Sequence, residues 1–147
     1  MTAKEYLSQA FLLDTRIKSK LSQVQSLRDT ATKANVLLSG MPHSPSRNIH
    51  RMEDAIVKMV DLENEIAVHL ERLIGLRRDI AEAISHVDSV THRTLLELRY
   101  LCFKDWDEIA EELCYQRKYV FRLHRQALQK VDTKRYRRTL ESPSEVW

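Results

Sequence analysis

Between Thr2 and Leu38 the chain contains neither glycine nor proline, and this constrains the fold more than any other feature of the sequence. The whole chain of 147 residues has two glycines and three prolines, and 31% of its residues are charged. Such a composition favours helices and leaves few residues that can form β-turns. Apolar residues also recur at helical spacing through the same stretch. The sequence therefore predicts an all-α protein that begins with one long helix over residues 2–38.

A second long helix is predicted over residues 48–88, after the connecting segment SGMPHSPSRN at residues 39–48. Gly40 suits the left-handed position that follows a helix end, and Pro42 prevents the first helix from continuing. The Ser-Pro pair at 44–45 suits the N-cap and the first turn of the next helix. Because the two helices have similar lengths and a short connection, we expect an antiparallel helical hairpin.

The second helix carries an apolar seam of the kind found in coiled coils. Alternating steps of three and four residues meet ten apolar side chains among the twelve positions Ile49, Met52, Ile56, Met59, Glu63, Ile66, Leu70, Leu73, Arg77, Ile80, Ile84 and Val87. The same stepping along the first helix meets Asp14, Arg28 and Asn35, so its seam is weaker. We expect the hairpin, residues 1–88, to bury its seam by self-association, which predicts a homo-oligomer. The alternative is that the seam packs on other helices of its own chain; Gly75 would permit a close approach.

Three shorter helices are predicted after the hairpin. The helical period of THRTLLELRYLC, residues 91–102, is followed by an interruption. Asp105 can cap a helix over residues 106–113, and Glu108 would complete a capping box. Cys114 and the residue after it form a turn, and the last helix begins at the next position.

A short turn before the last of three helices is the helix-turn-helix pattern, which we assign to residues 89–138. The last helix has one apolar face that we expect to bury, formed by Val120, Leu123, Ala127 and Val131. On the neighbouring helix we expect the same of Trp106, Ile109, Ala110 and Leu113. The opposite face of the last helix is formed by Lys118, Arg122, Arg125 and Gln129.

Charge is segregated along this part of the chain. Residues 106–112 carry four acids and no base, whereas residues 116–138 hold nine Lys or Arg and one Asp. A helix in the DNA major groove needs one apolar side and one side of long hydrogen-bond donors, so we expect double-stranded DNA as a partner, with the acidic helix lying away from it. The candidates for reading bases are Gln116, Arg117, Lys118, Tyr119, Arg122 and Arg125. The candidates for contacting phosphates are Lys130, Lys134, Arg135, Arg137 and Arg138. The alternative is a solvated basic face on an ordinary amphipathic helix.

These residues also carry a family resemblance. LLELRYLCFKDWDEIAEELCYQRKYVFRLHRQAL, residues 95–128, resembles region 4 of bacterial sigma factors, the helix-turn-helix that reads an upstream promoter element. The whole chain, with HRMED at 50–54, is similar to the phage and prophage ArpU-type late-gene transcriptional regulators of Gram-positive bacteria. Cys114 stands where region 4 usually has glycine, and Gln116 where it usually has a capping serine. No segment resembles sigma region 2, so the resemblance does not imply a complete sigma factor.

The sequence offers little for an enzyme. The two glycines cannot form a phosphate-binding loop, and the six histidines are scattered. The spacing of Cys102 and Cys114 with His92 and His124 matches no common zinc-finger pattern, so no metal or cofactor is expected and the thiols are interpreted as small, buried or half-buried apolar groups. MTAKEY lacks the apolar run of a signal peptide, and no stretch approaches membrane-spanning length. We expect a protein of the bacterial host cytoplasm, without a membrane partner and with a flexible tail at 139–147.

The prediction is therefore a sequence-specific DNA-binding regulator that activates phage late genes. One alternative is a DNA-packaging protein similar to a phage small terminase subunit, which would assemble into a ring. Another is an interaction protein that docks on host RNA polymerase.

Overall fold

A computed structural model describes residues 1–38 and 45–132. Within these ranges the protein is all-α, as predicted, and no strand is present in the part of the chain that is described. The helices are α1 (Ala3–Leu38), α2 (Pro45–Ser85), α3 (Val90–Tyr100), α4 (Trp106–Leu113) and α5 (Arg117–Gln129). None of these helices is long and apolar enough to cross a lipid bilayer.

The helix ends follow the local signals in the sequence. α2 begins at Pro45, where a residue without a backbone N–H costs nothing because the first turn has no intrahelical acceptor for it. It ends at Ser85 rather than at residue 88. Ser89 is the N-cap of α3, and its side chain accepts a hydrogen bond from the backbone N–H of His92. Gly40 and Pro42 lie outside the described residues.

The chain packs into two compact units whose limits differ from the predicted functional division at residues 88–89. One unit contains residues 1–12 together with the described chain from Leu73 onward, and the other contains residues 13–72. The functional division stays a prediction. The tail at 139–147 lies outside the described residues.

The first unit is built around side chains from all five helices. The largest fully buried side chains outside α4 and α5 are Leu7, Ile80, Ile84, Val87, Leu95 and Leu96. Phe103, after α3, packs edge-on against Phe11 of α1, with ring centroids 5.7 Å apart. Arg77 of α2 lies over the same ring and donates a hydrogen bond to the carbonyl of Leu101. These contacts hold the segment after α3 against the two long helices.

Phe103 adopts a left-handed backbone conformation with φ 57°. This region disfavours residues that have a Cβ atom, at a cost of about 1–2 kcal/mol. The contacts of the Phe103 ring with Phe11 and Arg77 offset that cost. Gly75 of α2, in contrast, is not needed for a close approach, because a Cβ atom there would meet nothing within 4 Å.

The second unit contains residues 13–38 of α1 and residues 45–72 of α2. Lys20 Nζ donates a hydrogen bond to Glu65 across the two helices. This hydrogen bond and the positive charge of Lys20 lower the pKa of Glu65. On α1 the buried side chains are Leu13, Ile17 and Val24, and on α2 they include Ala55 and Ile66.

The predicted seam of α2 divides into two sets. Every second position is buried or half-buried in the chain: Met52, Met59, Ile66, Leu73, Ile80 and Val87. Of the alternate positions, Ile84 is buried, whereas Ile49, Ile56 and Leu70 are 40%, 46% and 43% exposed. The side chains that are buried or half-buried in place of those alternate positions are Ala55, Leu62, His69, Leu76 and Ala83. The seam that packs within each unit therefore lies beside the predicted seam and shares half of its residues with it.

Candidate nucleic-acid interface

Helices α3, α4 and α5 share a small apolar core. Leu95, Ile109, Val120 and Leu123 are buried together, and Leu98, Trp106, Ala110 and Leu113 pack against them while remaining partly exposed. The predicted apolar face of the last helix is confirmed, because Val120, Leu123, Ala127 and Val131 are all buried. Leu95 of α3 was not among the predicted core residues, although LLELRY carries a helical apolar period.

The start of α4 is fixed by the predicted capping box. Asp105 Oδ1 accepts a hydrogen bond of 2.9 Å from the backbone N–H of Glu108. Glu108 Oε2 accepts one of 3.0 Å from the backbone N–H of Asp105. Two N–H groups at the helix start thereby gain acceptors, and the carboxylates lie at the positive end of the helix dipole.

Cys114 forms the turn between α4 and α5 in a left-handed conformation with φ 56°. Its backbone N–H bonds to the carbonyls of Ala110 and Glu111, and that of Tyr115 bonds to Ala110 at 3.0 Å. Gln116 occupies the N-cap position of α5 but makes no side-chain capping hydrogen bond. Cys114 therefore stands at a position whose geometry favours glycine, and Gln116 at one that favours a capping serine. These are the residues that region 4 of sigma factors usually has there.

The predicted base-reading residues lie at the start of α5 and on its outer face. Gln116, Arg117, Lys118, Tyr119, Arg122 and Arg125 are all exposed. Lys118, Arg122 and Arg125 make no ion pair with any other described residue. On a helical wheel these three lie opposite Val120 and Ala127, which are fully buried. The helix therefore presents three uncommitted cations on one side and packs its other side.

Arg117 has a different environment from those three cations. Its Nη1 lies 3.3 Å from Asp107 Oδ1 at the start of α4, and its guanidinium lies over the ring of Phe121 at 5.5 Å. The first acidic residue of α4 therefore lies against the first basic residue of α5. The expectation that the acidic helix lies away from DNA stays a prediction. The acidic helix also meets a base at its other end, where Glu112 accepts a hydrogen bond from Lys104 that raises the pKa of Lys104.

An exposed aromatic pair stands at the turn before α5. The rings of Tyr115 and Tyr119 are 40% and 42% exposed and meet edge-on, with centroids 4.9 Å apart. Tyr119 is one of the predicted base-reading residues, whereas Tyr115 was predicted only as part of the turn. Aromatic edges next to cations can contact the methyl group of thymine in a major groove.

His124 is not part of the basic face, although it lies among the arginines in the sequence. It is buried, its Nε2 shares a hydrogen bond of 2.7 Å with the Tyr100 hydroxyl, and its ring meets the edge of Trp106. Burial, with smaller contributions from Lys4 and Arg99, lowers the pKa of His124 to about 4. Burial likewise raises the pKa of Tyr100 to about 12. His124 is therefore uncharged at neutral pH and belongs to the core.

Trp106 is the centre of a cluster that sequence reasoning found only in part. Arg99 lies over its ring at 4.4 Å and donates a hydrogen bond to the Lys104 carbonyl. Phe121 packs on the same ring, with centroids 5.1 Å apart. The contacts fix the side of α5 that faces α4, and so determine which residues remain on the outer face.

Of the predicted phosphate contacts, the structure describes only Lys130, which is exposed just after α5. Lys134, Arg135, Arg137 and Arg138 lie outside the described residues. The interpretation of the two cysteines as buried apolar groups is wrong, because Cys102 and Cys114 are both exposed. Among the described residues, no group of His, Cys, Asp and Glu could hold a metal ion.

Comparison of the chain with protein-family models, with curated proteins and with solved structures gives no match. The geometry of α3, α4 and α5 is therefore the basis for proposing a function.

Proposed function

We propose that the protein is a sequence-specific DNA-binding transcriptional regulator that inserts α5 into the major groove of duplex DNA. The observation that carries this proposal is the outer face of α5, where Lys118, Arg122 and Arg125 are exposed and unpaired within the described chain. A helix that only needed to stay soluble could pair these bases with the acids of α4. Two of those acids instead meet other bases, Glu112 with Lys104 and Asp107 with Arg117, and none of the four pairs with the three cations, which remain available to a ligand.

The proposal includes a helix-turn-helix formed by α4, the turn at Cys114 and α5. Its support is the left-handed turn residue and the shared core with α3, which fit a recognition helix held by two others. It also includes an antiparallel hairpin of α1 and α2. The support here is the Lys20–Glu65 contact between helices joined by only the short segment 39–44.

The start of α5 adds a second argument for an anionic partner. Arg117 and Lys118 stand in the first turn, near the positive end of the helix dipole, and the first turn holds no acid. This arrangement is unfavourable alone but suits a phosphate, which the free backbone N–H groups there can bind. Gln116 provides no side-chain cap, and of the first-turn groups only the N–H of Tyr119 bonds to a backbone carbonyl, so those of Arg117 and Lys118 remain available.

The family resemblance makes the proposal more specific. A regulator similar to the ArpU-type proteins would activate late genes of a phage or prophage by reading a promoter-type site. The phosphate contacts proposed for Lys130 and for the basic residues after 133 would then fix the helix on the duplex without reading its sequence.

Selection of duplexes from a random-sequence library by the full-length protein tests this proposal. Binding is then measured to the selected site and to random duplex for the wild type and for Arg122→Ala. We expect Arg122→Ala to lose about 1–3 kcal/mol at the selected site and much less on random DNA, because a bidentate arginine–guanine contact is lost only there. Arg117→Ala should lose less, because Asp107 already holds that guanidinium.

Arg51→Ala is a matched control, because it removes the same charge from an exposed position on α2. We expect it to leave the ratio of specific to random affinity unchanged. Recovery of no preferred sequence would contradict the proposal, as would an Arg122→Ala variant that keeps the wild-type ratio.

A further inference from the structure

One flank of α2 in the second unit is apolar and uncovered. Starting at Ile49 and alternating steps of four and three residues, it contains apolar residues at every position except two, which are Glu53 and Glu63. Ile49, Ile56, Val60 and Leu70 are 40%, 46%, 49% and 43% exposed, and Ala67 is exposed as well. We call these seven positions the outer stripe: Ile49, Glu53, Ile56, Val60, Glu63, Ala67 and Leu70.

The opposite flank of the same helix pair is polar. A groove of about 640 Å³ lies there, and most of its lining side chains are polar, including Ser19, Ser22 and Ser26 of α1 with Lys58 and Glu65 of α2, although Leu27 and Leu62 also line it. The hydrogen bond from Lys20 to Glu65 crosses between the helices near this groove. The two flanks therefore differ in the side chains that they expose, although both belong to the same two helices.

α1 supplies a complementary set of residues on the flank away from the groove. Ile17 and Val24 are buried, so the helical period places Lys18, Leu21 and Arg28 beside the buried row, on the side away from the serines. Leu21 is 51% exposed. Arg28 makes no ion pair with another described residue, and neither does Glu63 of the outer stripe, whereas Lys18 pairs with Asp14 one turn before it at 2.9 Å.

We propose that the outer stripe and this flank of α1 form a two-fold symmetric interface with a second copy of the chain. A two-fold axis parallel to the helices lays α1 of each copy over α2 of the other, in the opposite direction. Lys18 then meets Glu63, Leu21 meets Val60, and Arg28 meets Glu53. The residue numbers in the three pairs have the same sum, so one antiparallel register makes all three contacts.

The charges on the two helices make a second copy a better fit than an unrelated partner. The two acids of the outer stripe need bases ten residues apart on an antiparallel helix, and α1 itself provides Lys18 and Arg28 at that spacing. Arg28 is unpaired, and the exposed pair of Lys18 with Asp14 is weak enough for Lys18 to be shared with Glu63. Because the interface is two-fold, each contact occurs twice. The inference depends on the antiparallel pairing of α1 and α2 proposed above and is independent of DNA binding.

The size of the surface is also adequate. Residues 49–70 of a helix extend about 32 Å, and two adjacent helices are about 20 Å wide, which gives about 600 Å² per copy. A standard interface between proteins buries roughly 800 Å² per partner, so this flank supplies most of that area. Such a contact would bury the exposed apolar surface of the outer stripe.

Sedimentation equilibrium of the full-length chain without DNA tests the proposal, with circular dichroism to confirm unchanged helix content. We expect a dimer for the wild type. Val60→Glu, within the outer stripe, should weaken it by more than about 100-fold, because each dimer would bury two carboxylates without partners. Val68→Glu is the matched control, since Val68 is 65% exposed on another side of the same helix, and it should remain dimeric.

Charge exchange tests the register itself. Glu63→Lys should weaken the dimer, since it places two bases together, and Lys18→Glu combined with Glu63→Lys should restore it. A monomeric wild type at high micromolar concentration overturns the proposal, and so does an assembly of more than two copies. Equal effects of Val60→Glu and Val68→Glu, or a double variant as weak as Glu63→Lys alone, also overturn it. Because the experiment contains no DNA, such a failure would leave the proposed DNA binding untouched.

Discussion

Replacement of Cys114 by glycine should stabilise the three-helix part of the protein. Cys114 has φ 56°, a region that costs a residue with a Cβ atom about 1–2 kcal/mol and costs glycine nothing. Glycine also makes the unfolded chain more flexible, which returns about 0.5–1 kcal/mol of that gain. The Cys114 side chain is exposed, so its removal loses little packing. The net expectation is a gain of about 0.5–1 kcal/mol in the free energy of unfolding.

Urea unfolding, monitored by tryptophan fluorescence, measures this gain in the three-helix part of the protein. The chain has two tryptophans, so a Trp147→Phe background leaves Trp106 as the only one. Trp106 packs on Phe121 and His124, so its emission reports on the contact of α4 with α5. With a dependence on urea of about 2 kcal/mol/M, the midpoint should rise by about 0.2–0.5 M.

Cys114→Ala separates the backbone effect from the loss of the thiol. Alanine keeps the Cβ atom and therefore the strained conformation, so its midpoint should stay within about 0.2 M of the parent protein. A glycine variant that is less stable than the alanine variant would refute the reasoning, because it would mean that residue 114 does not adopt the left-handed conformation in solution.

Three further results are expected. Because burial lowers the pKa of His124 to about 4 from its usual 6.5, its contribution to stability is complete above pH 6.5 and is lost as the pH falls towards 4. Unfolding free energies should drop by about 2 kcal/mol between about pH 7 and about pH 5, and His124→Gln should lack that part of the loss. Gly75→Ala should raise the stability by about 1 kcal/mol, because the added methyl group meets nothing within 4 Å and alanine favours the helix; denaturant titration would detect it. Ile109→Ala should cost about 3–4 kcal/mol and Leu113→Ala about 2 kcal/mol in the same titration, since Ile109 is fully buried and Leu113 only partly; equal losses would contradict the difference in burial.

The sequence predicted the helices well because helix signals are local. The absence of glycine and proline, the Ser-Pro pair and the Asp105–Glu108 box each act within a few residues. The limits of α4 were predicted at residues 106–113 for this reason. The turn at Cys114 was predicted from the neighbouring helix signals and from the resemblance to sigma factors.

It was harder to predict which side of each long helix packs inside the chain. α2 carries apolar side chains at several heptad positions, so counting them from Ile49 cannot show which row packs inside the chain. The row that is covered includes Ala55 and His69, which look less apolar than the exposed Ile56 and Leu70. The partner helix decides between them, because close packing favours small side chains where the helices approach.

His124 was not among the residues that the sequence predicted to be buried. It lies among arginines in the sequence, but its side chain is on the same face of α5 as Val120 and Ala127. A wheel drawn through the buried residues would have placed it in the core. The hydrogen bond with Tyr100, a contact between residues far apart in the sequence, leaves no local signal.

The first compact unit is discontinuous, and this determines when it can fold during synthesis. Residues 1–12 belong to it, but its remaining part begins only at Leu73. At about 5–20 residues per second, a ribosome needs roughly 3 to 12 seconds to make the intervening sixty residues. Tyr6 and Leu7, which are buried in the finished protein, must therefore wait with their apolar surfaces uncovered while the second unit emerges. Residues 1–12 thus reach their final packing only together with α3, α4 and α5, the helices proposed to bind DNA.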